Sequence, residues 1–193
     1  MDKKRVKKAV AAALIILATF SPIWTMKLNA PLYGKKWLHV TLYSYKVEGD
    51  IKEVNIVNHY VGLREINPEE MIELKVAPII FGILDVLSLI GVAVSSERFE
   101  KFFWIVLVLT AIGIPAYLQY WLYNYGHDLN PKAAVEIEPF TPPVITITPN
   151  KVGNFRTISY LDIGYWMIVA AMLLYLPDGV VRKLRKSRAT ENA

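Results

Sequence analysis

Cysteine is absent from this 193-residue chain. No disulfide can therefore brace it, and a metal site would have to use histidine, methionine, carboxylate or backbone oxygen. Only three histidines are available for that purpose. The sequence also lacks a nucleophile elbow, a P-loop, a Rossmann fingerprint, a haem-attachment Cys-x-x-Cys-His, an Asn-x-Ser/Thr sequon and any internal repeat. With no catalytic template present, the chain is expected to be non-enzymatic. Lys, Arg and His are also missing from four long apolar runs, and these runs account for much of what is there.

Hydrophobic residues make up 54% of the chain and its mean hydropathy is +0.32, too apolar for a typical soluble domain of this size. The runs Ala9–Met26, Val76–Ser95, Phe102–Tyr123 and Ile158–Pro177 each approach the roughly 20 residues needed to cross hydrocarbon. The fold class expected is an all-α membrane protein, a single domain over 1–193 with four transmembrane helices at 9–26, 76–95, 102–123 and 158–177. Loops 27–75 and 124–157 would form a small β-rich cap outside the cell membrane. The net charge of +5 does not imply nucleic acid, because the basic residues sit beside apolar segments. Lys3, Lys4, Arg5, Lys7 and Lys8 precede the first run, Arg98 and Lys101 lie between the second and third, and Arg182, Lys183, Arg185, Lys186 and Arg188 follow the fourth. The positive-inside rule then places both termini in the cytoplasm of a multi-pass inner-membrane protein. The first run is too long for a signal-peptide core and no Ala-x-Ala-like site follows, so it reads as an uncleaved signal anchor.

The stretch from Asn58 to Asp85 marks the passage into the bilayer. Asn67 suits an N-cap, Pro68 the first helical position and Glu70 the capping box, which predicts a helix beginning at Pro68. Pro78 should bend that helix near its entry, and Gly113 with Pro115 should kink the third. Leu38, Val40 and Leu42 alternate with polar residues and predict a strand; Ile51–Val61, rich in β-branched residues, is expected to be a second. Pro131, Pro139, Pro142, Pro143 and Pro149 forbid a long helix in the second loop, leaving Val144–Thr148 extended.

Three features carry chemical interest. Asp85 lies in the middle of the second run, where an ionised carboxylate costs about 2.5 to 3.5 kcal/mol; it is expected to be protonated and bonded to Thr110 or Gln119, or to face a partner, as interhelical glue or as a proton or ion relay. His39, His59 and His127 all fall in or beside the outside loops and could hold copper together with Met26 or Met71, although no pair of them has metal-ligand spacing and surface or hydrogen-bonded roles account for them more simply. Tyr117, Tyr120, Trp121 and Trp166 form either an interfacial belt or a cleft for quinone or lipid.

The segments Asn58-His59-Tyr60-Val61-Gly62-Leu63, Glu138-Pro139-Phe140-Thr141-Pro142-Pro143 and Val152-Gly153-Asn154-Phe155 resemble an uncharacterised family of small multi-pass membrane proteins of chemolithotrophic bacteria, whose outside loops carry Asn-His-Tyr-x-Gly and Phe-x-Pro-Pro. That resemblance implies a setting like that of accessory proteins of copper and respiratory enzymes, and singles out His59. The function expected is that of an accessory or structural partner of a membrane complex, respiratory or copper-handling, docking a membrane or periplasmic protein through its outside loops. The alternative is a small transporter or redox subunit using Asp85.

Overall fold

Strand and helix share this protein. A computed structural model describes residues 3–94, 96–146, 148–152 and 155–177. It contains α1 (Lys3–Phe20), β1 (Trp24–Asn29), β2 (Leu38–Leu42), β3 (Val47–Gly49), α2 (Ile51–Val61), α3 (Glu73–Ala93), α4 (Glu97–His127), β4 (Asn150–Val152), β5 (Phe155–Leu161) and α5 (Ile163–Leu174). The five strands form one antiparallel sheet in the order β3-β2-β1-β5-β4. The expectation of an all-α protein with four transmembrane helices is therefore overturned. Among the described residues two helices, α3 and α4, are long and apolar enough to cross a membrane. The basic tail from Arg182 to Arg188 lies outside the described residues, as do Ser95, Ile147, Gly153 and Asn154.

The first and fourth apolar runs failed as spans because strand pairing claims their ends. α1 stops at Phe20, Ser21 Oγ donates to the Leu17 carbonyl at 2.8 Å, and Pro22 supplies no backbone N–H. Trp-Thr-Met-Lys-Leu-Asn then alternates apolar and polar with period 2 and becomes the central strand β1. Residues 155–161 pair with it as β5, Trp24 opposite Leu161. This leaves α5 only 12 residues, opened by Asp162, whose Oδ1 accepts from the Ile163 N–H at 2.7 Å.

Ile51–Val61 is a helix and not the expected strand. Val54, Val57, Asn58 and Val61 are its buried residues, spaced three to four apart, so packing on one helical face outweighs the β-branched composition. Gly62 closes α2 in the left-handed region at φ 77°. Asn67 caps no helix either: its side chain accepts from the Glu69 N–H at 3.2 Å in a turn, and α3 begins six residues later.

α1, α3, α4 and α5 pack in a ring, α1 against α3 and α5, α4 against α5 and α3. Ile15, Leu84, Phe103, Leu107 and Ala171 fill its centre. At one end Lys8 pairs with Glu100 at 2.6 Å and donates to the Val94 carbonyl at 3.2 Å, joining the start of α1 to the α3–α4 turn. At the other end stands the sheet. Its inner face is split between α2, through Leu28, Leu38, Val40, Val54 and Val57, and the last turns of α4, through Trp24, Leu161, Leu118 and Leu122. α4 reaches that far because its 31 residues measure about 46 Å against a hydrocarbon core of about 30 Å.

Candidate functional site

The sheet's outer face is open, and it is the most developed polar surface of the molecule. Strand register sets its composition: His39 stands opposite Lys27 and Lys27 opposite Ile158, while Thr41 stands opposite Thr25 and Thr25 opposite Tyr160. Since alternate residues share a face, Trp24, Met26 and Leu28 point inward and these point outward. With Pro22, Trp37, Tyr43 and Asp162, all of these except Ile158 line a hollow of about 520 Å³.

Three carboxylates stand on or beside this face and each is already engaged; Glu48, opposite Thr41, pairs with Lys46. Asp162 caps α5 with one oxygen and accepts from the Thr25 hydroxyl with the other, at 2.7 Å. Asp50 accepts from the His39 backbone N–H at 3.0 Å and from Lys36 at 3.1 Å; these two bonds, the backbone one first, hold its carboxyl below the usual range. Asp50 also meets His39 Nδ1 at 2.9 Å, which orients the ring and leaves Nε2 with no hydrogen bond among the described residues. Lys27 makes no ion pair among the described residues and lies over the Tyr160 ring at 5.7 Å. Lys46 lies over Tyr43 and Tyr45, at 4.8 and 5.3 Å, and Tyr45 in turn meets Phe20 at the end of α1. The face thus offers hydroxyls, an imidazole held by Asp50, a cation with no ion pair among the described residues and amphipathic rings.

The three histidines are not assembled. His39 is on β2, His59 on the exposed side of α2, and His127 ends α4 stacked on Tyr123 with its Nδ1 2.8 Å from the Tyr123 carbonyl oxygen. No cluster of three His, Cys, Asp or Glu that could hold a metal occurs among the described residues, so the residues present do not form the three-histidine copper set.

Asp85 meets neither of its expected partners. Gln119 bonds the second loop, and Thr110 donates to the Val106 carbonyl. The Thr19 hydroxyl of α1 instead lies 3.2 and 3.1 Å from the two carboxyl oxygens, tying α1 to α3. An amide preserves this contact, so Asp85→Asn is expected to leave the thermal midpoint in detergent within about 0.5 kcal/mol of wild type, the usual scale of such interhelical bonds. A larger loss would mean that the charge itself matters. The four aromatics have separate neighbours: Tyr117 donates to Glu73 and sits beside Tyr120, Trp121 stacks on Tyr125, and the Trp166 indole donates to the Leu161 carbonyl.

The segments carrying the family resemblance acquire structural roles. Asn58 is buried and donates to the Arg64 carbonyl, and its neighbour Asn55 bonds both the N–H and the carbonyl of Ile66. Gly62 supplies the positive φ described above. In the second segment, Gln119 Nε2 donates to the Pro142 carbonyl while its Oε1 accepts from the Val144 N–H. The chain's one glutamine therefore clamps the proline segment to α4. Gly153 and Asn154 of the third segment lie outside the described residues.

No family model matches the chain, and no curated protein or solved structure is similar to it.

The open face must accordingly be argued from its own geometry. The sequence singles out His39 on this face but not Thr25, Lys27 or Tyr160, because the first apolar run covers the start of β1 and the fourth covers the end of β5, which hides both strands. The signal was present in the strict alternation of residues 24–29.

Proposed function

We propose that this is a non-enzymatic membrane protein in which α3 and α4 cross the bilayer as a hairpin and hold the sheet at one membrane surface, where it docks a membrane or periplasmic partner. One observation carries this reading. The apolar windows of α3 and α4, with hydropathies of 2.3 and 1.9, are each only 22% buried within the protein. A core helix of a soluble protein hides such residues, whereas here Ile79, Ile83, Val86 and Leu89 on α3 and Ile105, Leu109 and Ile112 on α4 face outward. Exposure to water would cost about 1.5 to 3 kcal/mol for each, and lipid removes that cost. The Lys8 end of the ring, next to Arg98 and Lys101, is the basic end and belongs in the cytoplasm. With the cytoplasmic basic tail expected from sequence, the sheet is then external. A respiratory or copper-handling complex as partner rests on the resemblance of the Asn-His-Tyr-x-Gly and Phe-x-Pro-Pro segments.

The absence of cysteine makes the test direct. Single replacements Lys52→Cys on α2 and Arg98→Cys at the start of α4 are labelled with an impermeant maleimide in intact cells stripped of outer barriers. Lys52→Cys should label at once and Arg98→Cys only after permeabilisation, with the chain remaining in the membrane pellet after alkaline carbonate. Release by carbonate, or the reverse labelling pattern, overturns the reading.

A further inference from the structure

The open face begins where two of the helices run out. α3, at 21 residues, measures about 32 Å, close to a full hydrocarbon core. The uncharged part of α1, Ala9–Phe20, and the whole of α5 are 12 residues each, about 18 Å. Because Lys8 is pinned to Val94 and Glu100, the shortfall appears entirely at the sheet end. The Thr19–Asp85 contact marks its level: the last turn of α1 reaches only the middle of α3, and α3 continues from there to Glu73 for about 18 Å beside the sheet. A bilayer thick enough for α3 therefore rises, on the α1 and α5 side, to the start of β1 at Trp24 and to the ends of β2 and β5, where Leu42 and Leu161 stand opposite it.

That side is continuous with lipid-type surface. Leu17 and Phe20 of α1 are 54% and 64% exposed, Phe20 meets Tyr45, and Tyr45 leads to Tyr43 at the edge of the open face. The face itself carries Lys27 and, on the same outward alternation, Arg156 opposite Asn29, neither of them in an ion pair among the described residues. Polar groups at that depth cannot face hydrocarbon.

We propose that the open sheet face is a phospholipid-headgroup site, in which the leaflet on this side thins locally so that phosphate oxygens reach Lys27 and Arg156 while Tyr43 and Tyr160, nearer the helix end of the sheet, take the interfacial position between headgroup and chain. The proposal rests on the membrane reading above. The chemistry is matched: an ammonium and a bidentate guanidinium for phosphate, amphipathic rings for the interface, and rim carboxylates already bonded, Asp50 to Lys36, Glu48 to Lys46 and Asp162 to the Thr25 hydroxyl and the Ile163 N–H. A mismatch of this kind is met at modest cost by thinning. The site is a place where this protein grips and deforms one leaflet, next to the surface it offers a partner.

The test uses the full chain reconstituted in phosphatidylglycerol vesicles. Flotation with the vesicles comes first, and failure to float refutes the membrane reading itself. In chains that float, native mass spectrometry after mild detergent extraction should show phosphatidylglycerol retained by wild type and by Lys27→Arg. Lys27→Ala with Arg156→Ala should retain it about twenty-fivefold less well, two surface cations contributing about fivefold each. A fluorophore on Thr41→Cys should be quenched by headgroup-labelled lipid. Equal retention by wild type and the double variant, quenching by aqueous iodide alone, or displacement of the lipid by millimolar inorganic phosphate overturns the headgroup site, with flotation intact in each case. Unchanged far-ultraviolet circular dichroism separates loss of the site from loss of fold.

Discussion

Gly126→Ala is expected to detach the proline loop from α4 and to cost about 3 kcal/mol or more. Gly126 is the penultimate residue of α4, directly under the Phe140 carbonyl. A Cβ built there falls 1.9 Å from the Phe140 oxygen, 3.0 Å from its carbon and 3.3 Å from Pro142 Cδ. The obstruction is backbone flanked by prolines, so no rotamer change relieves it. The same residue's carbonyl accepts the Phe140 N–H at 3.1 Å, so moving the loop away breaks that bond and strains the two bonds that Gln119 makes with Pro142 and Val144. Against a total stability of about 5 to 15 kcal/mol this is a large loss. The measurement is a thermal or chemical unfolding midpoint in detergent. Gly113→Ala in the same helix is the control, because a Cβ there meets nothing within 4 Å, and it should be neutral or raise stability by about 0.5 to 1 kcal/mol through helix propensity. If both alanine variants behave alike, the close approach at Gly126 is not what holds the loop.

Trp24→Ala is expected to cost about 3 to 5 kcal/mol, the range for emptying an aromatic site in a core. Trp24 is 5% exposed and sits at the junction of every layer, on the central strand, against Leu118 and Leu122 of α4 and against Val144 and Leu161. Its indole Nε1 also donates to the Val144 carbonyl at 2.8 Å. Trp24→Phe separates the two contributions: it keeps most of the apolar contact but leaves the carbonyl unpaired, for about 1 to 3 kcal/mol. Unfolding midpoints order the variants, and limited proteolysis within residues 124–149 reports whether the proline loop has come loose. Equal midpoints for Trp24→Phe and Trp24→Ala would assign the whole effect to the hydrogen bond.

The two helices long and apolar enough to cross a membrane were legible in the sequence because hydropathy over 20 residues is a local property. Val76–Ser95 and Phe102–Tyr123 correspond to α3 and the inner part of α4, and Leu38–Leu42 to β2. The flanking runs were misread for a reason that is equally physical. An apolar residue such as Trp24, Met26, Ile158 or Leu161 satisfies a lipid helix and an inward-facing strand alike, and only the period, 2 instead of 3.6, distinguishes the two. Ile51–Val61 shows the reverse case, where composition suggested a strand and the spacing of Val54, Val57 and Val61 suited a helix. Asp50 just before that helix and Glu53 three residues later in its first turn are a further start signal, although Asp50 spends its carboxylate on His39 and Lys36.

The sequence by itself determined the amount and placing of apolar surface, the basic end next to Lys8, the absence of thiol chemistry and the exclusion of the common catalytic templates. Each of these depends on residue type or on neighbours within a few turns. Only the tertiary structure decided that Gln119 clamps the proline segment, that Asp85 answers Thr19, that the three histidines stand apart, and that Thr25, Lys27, His39 and Tyr160 share one face. These depend on which strands pair and in what register. The β1–β5 pairing joins residues more than 125 positions apart, and its register arises from burying Trp24 and Leu161 against α4, a long-range packing choice that no local pattern encodes.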